Sequence, residues 1–371
     1  MNVPLIDLHA QYSSIRDDLQ QAVLRVLDSQ KFISGQGPDV SELEKAIAAY
    51  CGVKRGCALS SGSDALLMML HAAGIGPGDE VITTPFTFFG TAGSIARAGA
   101  KPVFCDIDAK TYNIDPARIE PLITPRTRAI LPVHIFGQCA EMDAINAIAA
   151  RHGLLVFEDA AQAIGSAYRG RKSCSLSKAG ILSFYPTKNL SGIGEGGMLL
   201  TDDESLAARA DRLRNHGQSG TYLHDEIGWN CRLSAIQAAG LLVRLPHLEC
   251  WNGLRRAHAD RYNKAFAGYP IQTPVPEPHQ HHTYHLYVIG VDDRDALQQH
   301  FKACGVGCGV YYPVPLHLQP CFRYLGCKPG DLPQAERASR RVLALPVFPE
   351  LTEEQQEYVI QCVTQWITKQ G

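Results

Sequence analysis

The sequence predicts an α/β protein built on a mostly parallel sheet, with a second, smaller α/β unit at the C-terminal end. Three observations lead there. From about residue 55 to residue 200, short apolar runs alternate with helical stretches. Those runs are continuously apolar, as strands covered on both faces are. After about residue 244 the texture changes to Pro- and His-containing segments.

The elements follow in order. Residues 56–59 read as a buried strand, 60–63 as a turn and 64–73 as a helix. Residues 76–79 are a Gly/Pro turn before a strand at 80–83. Further buried strands are expected at 102–105, 129–133 and 154–157, with a helix at 142–152 among the connecting stretches. Beyond the change in texture, 255–266 and 295–304 read as helices and 284–291 as a strand. Residues 274–282 are Pro- and His-rich, and 311–320 are irregular. The expected division is 1–244 for the larger unit and 245–371 for the smaller, with residues 1 to about 30 reaching across to the smaller one.

The bulk properties narrow the function. A chain of 371 residues with 45% hydrophobic composition can bury a large core. Lys plus Arg (35) nearly balances Asp plus Glu (37), so no basic excess points to nucleic acid. A small substrate carrying a nucleotide stays compatible, because one pocket needs only a few local cations. The first residues lack a basic stretch followed by an apolar run, and no segment approaches the roughly 20 apolar residues of a membrane span. A cytoplasmic protein without membrane contact is expected. The twelve Cys are scattered, with no spacing that suggests zinc, and read as small buried side chains. No metal site is expected.

Four segments can carry chemistry. Ser61-Gly62-Ser63-Asp64 leads from a strand into a helix, where free N–H groups and the helix dipole favour a phosphate. Ser63 or Asp64 could equally be an ordinary helix cap. Glu158-Asp159-Ala160-Ala161-Gln162 puts carboxylates at a buried strand end, which is costly unless they are paired. Asp159 suits a protonated ring nitrogen, and Gln162 could face the same pocket. Ser183 to Asn189 holds Lys188 among apolar and Gly residues, where an amine loses its charge more easily and can form a Schiff base. Residues 86–90 supply an aromatic face, including Phe88, that could stack on a flat ring.

These segments, with Gly228-Trp229-Asn230-Cys231-Arg232 and Tyr312-Pro313-Val314-Pro315-Leu316-His317, resemble in order the DegT/DnrJ/EryC1/StrS family of sugar aminotransferases. The resemblance runs over nearly the whole chain. It implies an aspartate-aminotransferase-like fold (fold type I of pyridoxal-phosphate enzymes) and a homodimer with shared active sites. Lys188 would hold pyridoxal 5'-phosphate covalently, Asp159 would pair with the pyridine nitrogen, and Gln162 would contact the ring hydroxyl. Phe88 would stack on the ring. Gly62, Ser63, the Asp64 backbone and Ser183 would hold the phosphate, with Asn230 reaching it from the partner subunit. His216, Tyr312 and His317 would lie on the substrate side, and a positive charge from Arg232 or His224 could meet a sugar carboxylate or the diphosphate.

The resemblance further implies transfer of an amino group from L-glutamate to a keto-sugar on a nucleotide. The short segment between Gly217 and Gly228 resembles members acting at C3, such as those using UDP-linked 3-keto-uronic acids or dTDP-linked 3-keto-6-deoxyhexoses. Amination at C4 is the alternative. A regulatory protein that binds the cofactor without catalysis is a third reading, and the intact set of Lys188, Asp159 and Ser183 speaks against it.

Overall fold

All residues of the segments Glu80–Thr83 and Gly197–Thr201 are buried, which explains why such strands read as unbroken apolar runs. In the computed structural model, which describes residues 1–369, seven strands form one sheet. They are β1 (Arg55–Leu59), β2 (Glu80–Thr83), β3 (Lys101–Phe104), β4 (Thr127–Leu131), β5 (Leu155–Asp159), β6 (Ala179–Ser183) and β7 (Gly197–Thr201). Their order is β1-β7-β6-β5-β4-β2-β3. Only β7 runs against its neighbours. The remaining pairs are parallel. The chain passes from β6 to β7 without a helix between them, and a direct return of this kind gives an antiparallel pair. Lys188 lies in that return.

The helices that frame the site are α1 (Arg16–Ser29), α2 (Gly62–Ala72), α3 (Gly90–Arg97), α4 (Met142–His152), α5 (Ala235–Arg244) and α6 (Leu248–Ala265). α2 is apolar on nearly every side, because it packs on the sheet and also on α3. A second, two-stranded sheet pairs β8 (Tyr287–Gly290) with β9 (Val342–Leu345). Tyr262, Tyr287, Phe301 and Val359 fill the core beside it. Val3 belongs to that core, and its N–H donates to Gly305 O at 3.0 Å. α1 packs instead on α5. Among the described residues no helix is long and apolar enough to cross a membrane.

Two expected elements have other limits. The strand expected at 284–291 starts only at Tyr287, because Tyr284 takes a left-handed turn (φ 46°) with its ring stacked on His282 at 3.9 Å. The helix expected at 255–266 begins nearly two turns earlier, at Leu248. Asn252-Gly253 reads as a helix break by propensity, but tertiary contacts of the buried Asn252 override it.

The upper edge of β5 is fixed by Glu158, whose side chain is fully buried. It accepts hydrogen bonds from Cys174 N (2.7 Å), Leu176 N (2.8 Å) and Ser177 Oγ (3.0 Å). Ala140 N–H donates to His134 Nδ1 at 3.1 Å, so the ring proton sits on Nε2 and is donated to Glu158 at 2.9 Å. This carboxylate is structural. We expect Glu158→Ala to lower stability by about 3 kcal/mol or more, since it strands several buried donors at once. A fall in the urea midpoint of the cofactor-free protein measures it, and an unchanged midpoint contradicts it.

Candidate active site

Successive residues of a strand face opposite sides of the sheet. With Glu158 turned into the core, Asp159 faces the other way, at the carboxyl end of β5 beside Ile181 of β6. Its backbone is fixed on the β4 side, by Asp159 N to Pro132 O (2.9 Å) and His134 N to Asp159 O (2.9 Å). The Asp159 side chain accepts from Thr91 Oγ1 on α3 at 2.7 Å and from Ala161 N at 3.2 Å. It caps no helix. Burial pushes its carboxyl pKa up, and Thr91, Ala161 and the nearby Lys188 pull it down only in part. A buried carboxylate of this kind fits a further cation or acidic N–H opposite it.

Lys188 stands in the return between β6 and β7, with its N–H donating to Tyr185 O at 2.8 Å. Burial lowers its amine to about 8, against an opposing pull from the charge of Asp159. The two groups are thus near enough for each charge to act on the other, although they are far apart in sequence. Gln162 is locked on the same side. Its Oε1 accepts from Phe136 N at 2.8 Å, and its Nε2 donates to Tyr312 Oη at 3.0 Å. Tyr312 in turn packs edge-on against Phe86.

Beside this pair lies the start of α2. Ser61 is the cap, its Oγ accepting from Asp64 N at 3.0 Å, and the Asp64 carboxylate accepts from the hydroxyls of Ser60 (2.7 Å) and Ser61 (2.9 Å). The cap is therefore Ser61, where the sequence offered Ser63 or Asp64 as the alternative to a phosphate site, and the Asp64 N–H is engaged by the Ser61 hydroxyl. The first-turn amides of Gly62 and Ser63 remain without intrahelical acceptors. They meet the end of β6 closely: a Cβ on Gly62 would stand 2.8 Å from Ser183 Cβ. A Cβ on Gly90 would stand 3.0 Å from Ser63 Oγ and 3.2 Å from the Phe88 ring. Two amides, the hydroxyls of Ser63 and Ser183 and the 59% exposed Phe88 ring therefore surround one cradle. This donor set fits a phosphate, and the pocket beyond it fits a ring with a basic nitrogen and an aldehyde.

The remaining expected residues are spread more widely. Cys231 O accepts from Ser60 N at 2.9 Å, which runs the 230–232 segment past the end of β1. Asn230 is exposed there, and Arg232 donates to the Asn215 side chain. His216 is exposed at the neck of a hairpin whose neck Gly217 and Gly228 close, since a Cβ on Gly217 would stand 1.7 Å from Glu226 O. The His317 side chain is fully buried, with Nε2 3.2 Å from Glu336 and an edge contact to Phe104. The sequence reading missed Thr91. Its pairing with Thr87 at helical spacing (3.1 Å between hydroxyls) was the available signal.

The model of the DegT/DnrJ/EryC1/StrS aminotransferase family matches residues 13–364. The chain belongs to that family. Among its relatives, a protein of Geobacillus stearothermophilus named pleiotropic regulatory protein is 50% identical, over 99% of each chain. The UDP-2-acetamido-2-deoxy-3-oxo-D-glucuronate aminotransferase of Pseudomonas aeruginosa is 42% identical, over 94% of this chain and 96% of its own. The crystal structure of S. venezuelae DesV in complex with a ketimine intermediate superposes with a TM-score of 0.96 at 42% identity, covering 99% and 98% of the two chains. The fold is that of these family members.

The lowered Lys188 amine gives a measurement on the cofactor-free protein. We expect acylation of Lys188, followed by peptide mass spectrometry, to rise with a midpoint near pH 8. The folded chain then loses a proton that the unfolded chain keeps up to its ordinary 10.5, so stability rises with pH between about 8 and 10.5. Lys188→Met should remove that rise. A Lys188 midpoint matching the exposed lysines contradicts the buried-amine account.

Proposed function

We propose that this protein moves an amino group from L-glutamate to the C3 keto carbon of a nucleotide-linked sugar, using pyridoxal 5'-phosphate held at Lys188. The observation that carries the reading is a Lys188 amine lowered by burial to about 8 and acting on the charge of the buried Asp159 at the end of β5. When bound, the cofactor supplies an aldehyde that takes up amines and a ring that accommodates the electron pair left by a departing proton.

The residues of this chain do the rest. Asp159, oriented by Thr91, would hold a proton at the ring nitrogen. The Lys188 amine, part of it neutral near pH 7, would take and return the proton at the amino donor's α-carbon. Gln162 has one Nε2 hydrogen on Tyr312 and a second available for the ring hydroxyl. The exposed Phe88 ring would stack on the bound cofactor. Gly62 and Ser63 amides, with the Ser63 and Ser183 hydroxyls, hold the phosphate at the positive end of α2. His216, Arg232 and Tyr312 are the residues of this chain assigned to the sugar nucleotide. In this reading residues 1–244 carry the cofactor and 245–371 form the smaller unit.

Two copies complete the site. Tyr222 and Ile227 are each 92% exposed and Leu223 is 60% exposed, on the hairpin next to Asn230. Apolar surface grouped in this way is favoured when covered, and a second copy laid over it carries Asn230 to the partner's phosphate cradle. Such an enzyme works in the cytoplasm, where sugar nucleotides and glutamate meet. The compact hairpin closed by Gly217 and Gly228 and the 3-oxo-sugar relative support C3 over C4. The relative named as a regulatory protein keeps a second reading in view, a cofactor binder without turnover.

Lys188→Ala is expected to abolish transamination and the long-wavelength absorbance of the covalently held cofactor. Asp159→Asn should keep that absorbance while losing roughly a hundredfold or more in rate. A rate within a few-fold of wild type removes Asp159 from the role. Coupled assays should show turnover of 3-keto over 4-keto nucleotide sugars, and the reverse preference moves the assignment to C4. Glutamate added to the holoprotein should shift its spectrum, whereas an unchanged spectrum favours the binder.

A further inference from the structure

The turn that carries Lys188 is tied down by the residue that follows it. Asn189 is buried, and its Nδ2 donates to Asn252 Oδ1 at 2.7 Å and to Thr283 O at 3.2 Å. Its Oδ1 lies 3.2 Å from His285 Nδ1. Asn252, on α6 and fully buried, uses its own Nδ2 to donate to Ile164 O at 3.2 Å. Ile164 ends the tight turn that starts at Asp159 and passes through Gln162. One carboxamide therefore joins the turn of the amine to the turn of the carboxylate.

The polarity of this chain of bonds is not free. Thr283 O and Ile164 O only accept, so each must face an amide nitrogen. That turns Asn189 Oδ1 toward His285 and Asn252 Oδ1 toward Asn189. His285 must then donate from Nδ1. Burial and the neighbouring Lys188 charge hold its pKa well below the ordinary histidine value, consistent with a neutral ring in that tautomer. The space is built to this carboxamide as well. Gly165 has φ +86°, and a Cβ there would stand 2.6 Å from Asn252 Nδ2.

We propose that Asn252 is a positioning residue that, through Asn189, sets where the Lys188 amine stands relative to Asp159. The inference rests on the transaminase reading above, in which these two groups act together. Asn252 touches neither reacting group. It acts because a single rigid amide couples the two loops directly, beside the longer link in which Thr283 meets both Asn189 and Ser166. Placement errors near 1 Å at a reacting amine cost about a hundredfold in rate, so loss of one such bond should appear in turnover before it appears in binding.

The test compares wild type, Asn252→Ala, Asn189→Ala and the double variant, each with and without cofactor. In cofactor-free protein, the pH midpoint for acylation of Lys188 should move by half a unit or more in each variant. In the loaded enzyme, kcat should fall about tenfold or more with the KM for glutamate within twofold. The double variant should be no worse than the poorer single one, since both cut the same bond. If Asn252→Ala does not fold, Asn189→Ala cuts the bond from the other side and leaves α6 intact. The proposal is overturned if the urea midpoint falls while the Lys188 midpoint and kcat stay within experimental error of wild type, because Asn252 is then only structural. Wild type that never holds pyridoxal phosphate at Lys188 overturns the transaminase reading itself. The acylation midpoints of the cofactor-free proteins still report whether Asn252 places the amine.

Discussion

A buried carboxylate and a half-buried amine whose charges act on each other set the conditions for the rest of this structure. Asp159 in a buried pocket needs donors, and Thr91 and Ala161 provide two. Lys188 loses part of its charge to the same burial and is opposed by the charge of Asp159. Neither group can be relaxed alone. Removing solvent weakens the charged form of each, and each charge stabilises the other. The sheet makes the arrangement possible, because β5 and β6 are parallel neighbours that end at the same edge. Ligand sites of open parallel sheets gather at such edges.

Around that pair the molecule divides its polar groups into two kinds. Glu158, adjacent to Asp159 in sequence, is saturated by backbone and side-chain donors and has nothing left for chemistry. Asp159 and the amides of Gly62 and Ser63 keep unused hydrogen-bonding capacity. The difference follows from the pleat, which sends consecutive side chains to opposite faces. The phosphate cradle likewise depends on contact distance: Gly62 stands against Ser183, and Gly90 against Ser63 and Phe88, closely enough that a methyl group at either position would crowd the neighbouring side chain. The cradle is thus set by small residues at crossing points of elements distant in sequence.

Much of the larger sheet was legible because its strands are buried on both faces and therefore continuously apolar. The turn Ser61-Gly62-Ser63 and the acid at the end of β5 were legible for a related reason, since polar residues that interrupt apolar runs stand out. β6 and β7 were not read as strands. The direction of β7 depends on the direct return from β6, and composition does not carry direction. The start of α6 was hidden by Asn252-Gly253, whose low helix propensity is outweighed by the bonds Asn252 makes elsewhere.

The sequence by itself determined the family, the alternation that yields a parallel sheet, and the residue types at the site. Those features are local, carried by periodicity, by turn residues and by motifs of a few positions. Tertiary structure alone decided that Ser61 caps α2, that Thr91 orients Asp159, and that Asn252 joins the turns of Lys188 and Asp159. Each of these is a hydrogen bond whose geometry is settled by packing. Bonds such as Asn189–Asn252, between residues far apart along the chain, leave no period or spacing in the sequence from which they could be read.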